Sequence, residues 1–228
     1  MTMQVGMIGT DGIVLASDTL WTLTGDIRQT FNSSKIKVNC DRGLAISCSR
    51  NMETSTEIAD KIIANLCDTN ISCDAIEQIA ENVLNPIEKF RRDIQCLIVS
   101  LCPRPRLFRL RKEPVDGFVR PVCQEMLDKA IAGDDHNPAI FWAERHYQRR
   151  SFKELILLAA HLVTIASKLN SGTIGGLEVV VCDDSGIRRL TDESNRELES
   201  KSLEIDEQLQ ASFATYSQQF TYAPNMIG

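Results

Sequence analysis

A threonine stands second in the chain, in M-T-M-Q-V-G, and becomes the first residue once the start methionine is trimmed. A threonine hydroxyl is a weak nucleophile at neutral pH and needs a base, which a free α-amine on the same residue can supply directly or through water. Only an N-terminal threonine carries that amine. Methionine before threonine is a start that aminopeptidase trims, so Thr2 can be freed without a propeptide. The plainer reading is a β-branched residue opening a strand. Metal chemistry is poorly supplied. Cys40, Cys48, Cys67, Cys73, Cys96, Cys102, Cys123 and Cys182 contain no C-x-x-C pair, and only three histidines accompany them. No metal and no cofactor is expected, and most of the cysteines read as reduced and buried.

The elements that must position Thr2 follow from periodicity. Two β-rich runs, MQVGMIG and IVLAS, flank Asp11-Gly12, a strong hairpin turn because both residues tolerate positive φ. After the polar stretch TLWTLTGDIRQTFNS, KIKV and GLAISC form a second hairpin around Asn39 to Gly43. The period then changes. Ile58, Ile62 and Leu66 fall four apart and predict a helix over 52–67. A second helical pattern runs from Asp74 to about Arg92, with Pro86 bending its last turns. Strands return with QCLIVSLC and with RLFRLRK, which alternates so that Phe108 and Leu110 face away from Arg109 and Arg111, the latter on a solvated face. Helices are expected from Asn137 to Tyr147 and from Ser151 to Lys168, the latter apolar around so much of its circumference that two sides need cover. Past Gly175-Gly176, LEVVVCD turns at Asp183 to Gly186 into IRRL, and a polar tail without sharp pattern follows.

This order predicts an α+β protein: two antiparallel sheets face to face with helices on both outer faces, a four-layer αββα sandwich. At 228 residues and 43% apolar, the chain reads as one domain over 1–228, with a tail from about residue 205 whose order the sequence leaves open. A net charge of -6 gives no global positive field for a phosphate backbone, so nucleic acid is not an expected partner. No basic start leads an apolar run and no stretch stays apolar for about 18 residues, so no membrane is expected and the location reads as cytoplasmic.

Three pieces stand together: the near-terminal threonine in M-T-M-Q-V-G, the strand ending A-S-D at Asp18, and K-I-K-V followed by G-L-A-I-S-C-S. With the helix pairs, Gly175-Gly176 and the closing strands in the same order, the chain resembles the proteasome β-type N-terminal-nucleophile (Ntn) hydrolases over most of its length. Lacking a helical segment before the first strand, it looks like a β subunit rather than an α subunit, and among bacterial relatives like the small, divergent proteasome homologues.

The resemblance implies a catalytic set. Thr2 is the nucleophile, and Asp18 holds a lysine ammonium by charge-assisted hydrogen bonds. That ammonium, near the amine and hydroxyl, favours their deprotonated forms. Counting back from Gly43, the family's lysine position falls on Ser34. Lys35 takes it if the loop or strand carries one extra residue, and Lys37 is the further alternative; a one-residue slip turns a strand side chain to the other face, so the choice matters. Lys35 is preferred. The backbone N–H of Cys48 stands at the oxyanion-stabilising position. Asn170 and Thr173 fall where the family tends to have an aspartate and a serine, and His136 where it has a serine. Trp21 and Ile46 shape the substrate pocket and make it small or partly filled.

What the resemblance implies for function is a threonine-type hydrolase of peptide or other amide bonds in a self-compartmentalised homo-oligomer of stacked rings, acting on a peptide or unfolded protein. Two other readings stay open: a ring-forming homologue without peptidase activity, and an Ntn acylase acting on a small amide.

Overall fold

The computed structural model describes residues 1–23, 29–49, 52–67, 73–85, 94–101, 104–115, 117–134 and 136–219. The chain opens with the expected hairpin, β1 (Met3–Ile8) and β2 (Ile13–Ser17), paired antiparallel from Gln4↔Ser17 to Ile8↔Ile13. Every residue of both strands is buried because both faces of the sheet are covered. Met3, Val5 and Met7 face a helical layer, while Ile8 looks into the space between the two sheets. The polar stretch that follows is not loop throughout: β3 (Leu20–Leu23) and β4 (Gln29–Asn32) form a small hairpin of their own. Next come β5 (Ile36–Asn39) and β6 (Leu44–Cys48), turned through Gly43 at φ 61°.

Helix α1 (Met52–Cys67) lies where the four-residue spacing put it. Helix α2 (Cys73–Leu84) follows, and the bend expected at Pro86 falls outside the described residues. Strand β7 (Gln95–Ser100) was expected, and β8 (Arg106–Val115) is longer than the run RLFRLRK. Its Phe108 and Leu110 enter the core beneath α1 and α2 as expected, whereas Arg109 and Arg111 are half-buried rather than fully solvated. Two strands the pattern did not announce follow, β9 (Phe118–Met126) and β10 (Lys129–Gly133). An edge strand carrying Pro121 and charged residues shows little alternation, because one edge and much of one face meet water.

Helix α3 (Ile140–His146) is shorter than predicted, and α4 (Phe152–Leu169) closely matches its expected span. Ser151 and Glu154 form a capping box at the start of α4, and Asp11 from the first hairpin accepts the Phe152 N–H at 2.8 Å. Strands β11 (Glu178–Asp183) and β12 (Gly186–Arg189) close the chain's strand set, and the polar tail forms a long helix, α5 (Asp192–Gln219). Helix α5 covers the second side of α4, with His161 Nδ1 2.8 Å from Ser202 Oγ. Part of the apolar excess on α4 is thereby covered within the chain, while Ile156, Leu157 and Leu158 stay half-exposed.

The two main sheets run β10-β1-β2-β11-β12 and β5-β6-β7-β8-β9, all antiparallel. One buried cluster joins the first sheet to α3 and α4, another joins the second to α1 and α2, and a third lies between the sheets around Ile13, Leu15, Ile36, Leu97 and Leu107. The architecture is the four-layer αββα sandwich. Five described cysteines are free thiols; Cys48, Cys96, Cys123 and Cys182 are buried and Cys40 is exposed. Among the described residues no helix is long and apolar enough to cross a membrane.

Candidate active site

Thr2 sits at the mouth of β1, with Met1 62% exposed above it and its own residue only 4% exposed. Its carbonyl accepts the Asp134 N–H at 2.8 Å. Gly133, facing it from the end of β10, has φ 97°, and a Cβ there would lie 2.1 Å from the Thr2 carbonyl oxygen. Glycine is required at 133 by both conformation and space.

Asp18, fully buried, follows β2. Its N–H donates to the Met3 carbonyl at 3.1 Å, and its Oδ1 accepts the Met3 N–H at 2.9 Å. The carboxylate is thus fixed by the backbone of the very segment that carries Thr2. Its Oδ2 accepts from Lys35 Nζ at 2.7 Å, and the same ammonium lies 3.2 Å from Thr2 Oγ1 and 4.9 Å from the centre of the Trp21 ring. Burial, the largest influence, lowers the Lys35 pKa against the pull of Asp18, and burial likewise raises Asp18 against the pull of Lys35. An ammonium held this close to the hydroxyl favours its deprotonated form.

Among the three candidates for the lysine position, Lys35 is the one beside Thr2. Residues 33–35 lie outside any strand, just before the β5 ladder begins. Ser34 turns away to the Glu178 carboxylate at 2.8 Å, and Lys37 reaches Asp60 on α1 at the surface.

Cys48 ends β6. The Ser49 N–H bonds Gln95 O on β7 at 2.8 Å, so strand alternation turns the Cys48 N–H toward the β5 side, where Lys35 stands one step beyond the Ile36↔Ser47 pair. Trp21, Lys35, Ile46 and Cys48 line a cavity of about 190 Å³ with Ser55 and Ala59 of α1. The Trp21 indole is pinned there by its N–H to Ser33 O at 3.1 Å.

Two of the expected supporting residues hydrogen-bond within their own turn. Asn170 closes α4, its amide reaching Ala166 O at 3.4 Å while its carbonyl accepts from Thr173 Oγ1 at 3.0 Å. Among the described residues neither side chain bonds Thr2, Asp18 or Lys35. His136 is exposed, and it is Asp134, two residues earlier, whose backbone holds Thr2. Glu178 was not foreseen either: it is 5% exposed and its Oε2 accepts the Lys35 N–H at 3.1 Å. A lone acid opening the apolar run E-V-V-V-C is the signal that could have found it. Among the described residues no group of three or more His, Cys, Asp or Glu converges as metal ligands would.

A four-layer αββα sandwich with a buried Thr–Lys–Asp cluster at the head of its first strand is a proteasome-like arrangement. No family model and no curated protein matches the chain. Solved structures do. The chain superposes on Anbu from Hyphomicrobium sp. strain MC1 with a TM-score of 0.70 at 15% identity, over 98% of this chain and 100% of that one. For Anbu from Yersinia bercovieri, described as an ancestral beta-subunit, the values are 0.71 and 16%, over 97% and 99%. For Pseudomonas aeruginosa Anbu, solved as a helical assembly, they are 0.68 and 16%, over 99% and 100%. At these identities the likeness establishes a proteasome-like fold.

Proposed function

We propose that the chain is a single-domain, cytoplasmic, threonine-type amide hydrolase of the Ntn class working within a homo-oligomeric, proteasome-like ring assembly. The observation that carries the reading is Lys35 Nζ, buried, 3.2 Å from Thr2 Oγ1 and 2.7 Å from Asp18 Oδ2. Removal of the exposed Met1 frees the Thr2 amine. That amine, tuned by Lys35, takes the hydroxyl proton as Oγ1 attacks the amide carbonyl. The oxyanion forms against the Cys48 N–H. The proton passes to the departing nitrogen, the C–N bond breaks, and water hydrolyses the resulting ester. Asp18 keeps the ammonium in place throughout.

A cavity of about 190 Å³ walled by Trp21 and Ile46 favours a small side chain or a small amide over a bulky peptide residue, which keeps an acylase activity as the second reading. The helical assembly of the Pseudomonas aeruginosa structure supports self-association of this fold. Sedimentation at micromolar concentration tests that: a mass many times 25.5 kDa is expected, and a dilution-stable species near 25.5 kDa contradicts it. The chemistry is tested by hydrolysis of a panel of fluorogenic small amides and peptides by protein beginning at Thr2. Thr2→Ser should retain part of the activity and Thr2→Ala none; equal turnover by Thr2→Ala would place the nucleophile elsewhere.

A further inference from the structure

Lys35 is fixed at its tip by Asp18, but the tip can be no better placed than the backbone that carries it, and that backbone lies in the irregular run before β5. Its anchor comes from the other sheet. Glu178, the first residue of β11, places Oε2 3.1 Å from the Lys35 N–H and 3.3 Å from the Ile36 N–H, both donors to it. Its Oε1 lies 2.8 Å from Ser34 Oγ and faces the Arg189 guanidinium in an ion pair. Arg189, at the end of β12, donates from Nη1 to Ser34 Oγ at 2.9 Å and from Nη2 to Ile36 O at 2.8 Å. A buried carboxylate is costly unless its oxygens are filled, and here three successive residues, 34 to 36, and one guanidinium fill them.

We infer that Glu178, held by Arg189, is a positioning residue that sets the place of Lys35 at Thr2. The clamp's geometry stands by itself; its consequence for catalysis rests on the hydrolase reading above. Glutamine at 178 keeps the size but loses the charge that pairs with Arg189, and whichever way its amide lies an NH2 faces donors, either the Lys35 and Ile36 N–H groups or the Arg189 guanidinium. The run 34–36 then loosens and admits water to Lys35, relieving the burial that lowers its pKa. A shift of about 1 Å in a catalytic group is enough to cost about 100-fold in rate.

The test is competitive acetylation of the folded protein with acetic anhydride across pH, read residue by residue by peptide mass spectrometry. In Glu178→Gln the Lys35 midpoint should move up from its wild-type position. Arg188→Ala, which removes an exposed neighbour paired with Asp183, should leave it at the wild-type position. The rate of Thr2 modification by an electrophile at neutral pH should fall by about 10- to 100-fold in Glu178→Gln. A folded Glu178→Gln whose Lys35 midpoint equals that of wild type overturns the inference, because a strut that merely ties β11 to β5 would change stability and leave that titration alone. Should Glu178→Gln not fold, Ser34→Ala decides: a smaller upward shift supports the clamp and no shift overturns it. Absence of any Thr2 adduct in the wild-type protein would defeat the hydrolase reading, while the Lys35 comparison would still decide the clamp.

Discussion

Lys35 and Lys37 are two residues apart, each paired with one aspartate, and the two pairs have opposite characters. The Lys35–Asp18 side chains are 1% and 0% exposed, tied to β1 and aimed at a hydroxyl; the Lys37–Asp60 side chains are 38% and 57% exposed, on the outer edge of the sandwich. Water screens the second pair, so forming it gains little against the entropy of holding two long side chains. The first pair stands where neither charge can be hydrated, so each depends on the other and on the backbone donors around them. The difference teaches that a salt bridge here is a device of position: the same residue type, shifted by two along one segment, is either buried against a hydroxyl or spread over the surface.

The comparison breaks hardest at Asp18. Asp18→Asn would set an amide NH2 against either the Lys35 ammonium or the Met3 N–H, and breaking a buried pair from one side costs about 3–5 kcal/mol. For a chain of this size that corresponds to a melting temperature lower by roughly 6–20 °C, measurable by calorimetry. An unchanged value would mean that Asp18 holds no charge in place. The double variant Asp18→Asn/Lys35→Met removes both charges, and it should recover most of that loss while remaining inactive.

A pH dependence sharpens the same point. Lys35 has its pKa lowered by burial, so the native state binds fewer protons than the unfolded one in the window below the ordinary lysine value of about 10.4. Its contribution is present above that value and is lost as pH falls through the folded pKa. In Asp18→Asn the opposing pull of the carboxylate is gone and the window widens. The stability deficit of that variant relative to wild type should therefore shrink as pH rises from neutral toward about 10, read from denaturant midpoints. A deficit constant over that range would contradict a charged, buried Lys35. The smallest effect belongs to the surface pair: Lys37→Met should change stability by no more than about 1 kcal/mol.

The fold was largely legible because its buried elements carry strong periods. Asp11-Gly12, the Ile58–Ile62–Leu66 stripe and the apolar run over 155–165 each became the expected element. The strands that escaped, β3, β4, β9 and β10, are polar, short or at an edge, where a strand carries little alternation. The tail was legible as polar but not as helix, since α5 touches the body along one narrow side and is charged elsewhere. Within the site, Thr2, Asp18 and Lys35 could be named from order along the chain. The groups that converge from distant segments could not: Asp134 and Glu178 act at Thr2 and Lys35 through backbone contacts, and those depend on how two sheets stack rather than on local spacing. Asn170 and Thr173, named from order alone, hydrogen-bond within their own turn.

The central claim is that Thr2 is a nucleophile once Met1 is gone. The most direct measurement is mass spectrometry of protein beginning at Thr2 after exposure to an epoxyketone, which requires both a hydroxyl and a free amine on one residue. The account predicts a single adduct mapped to Thr2, absent from Thr2→Ala and Lys35→Met and partly retained in Thr2→Ser. Protein with a free Thr2 that takes up no adduct, or an adduct that persists unchanged in Thr2→Ala, would contradict it.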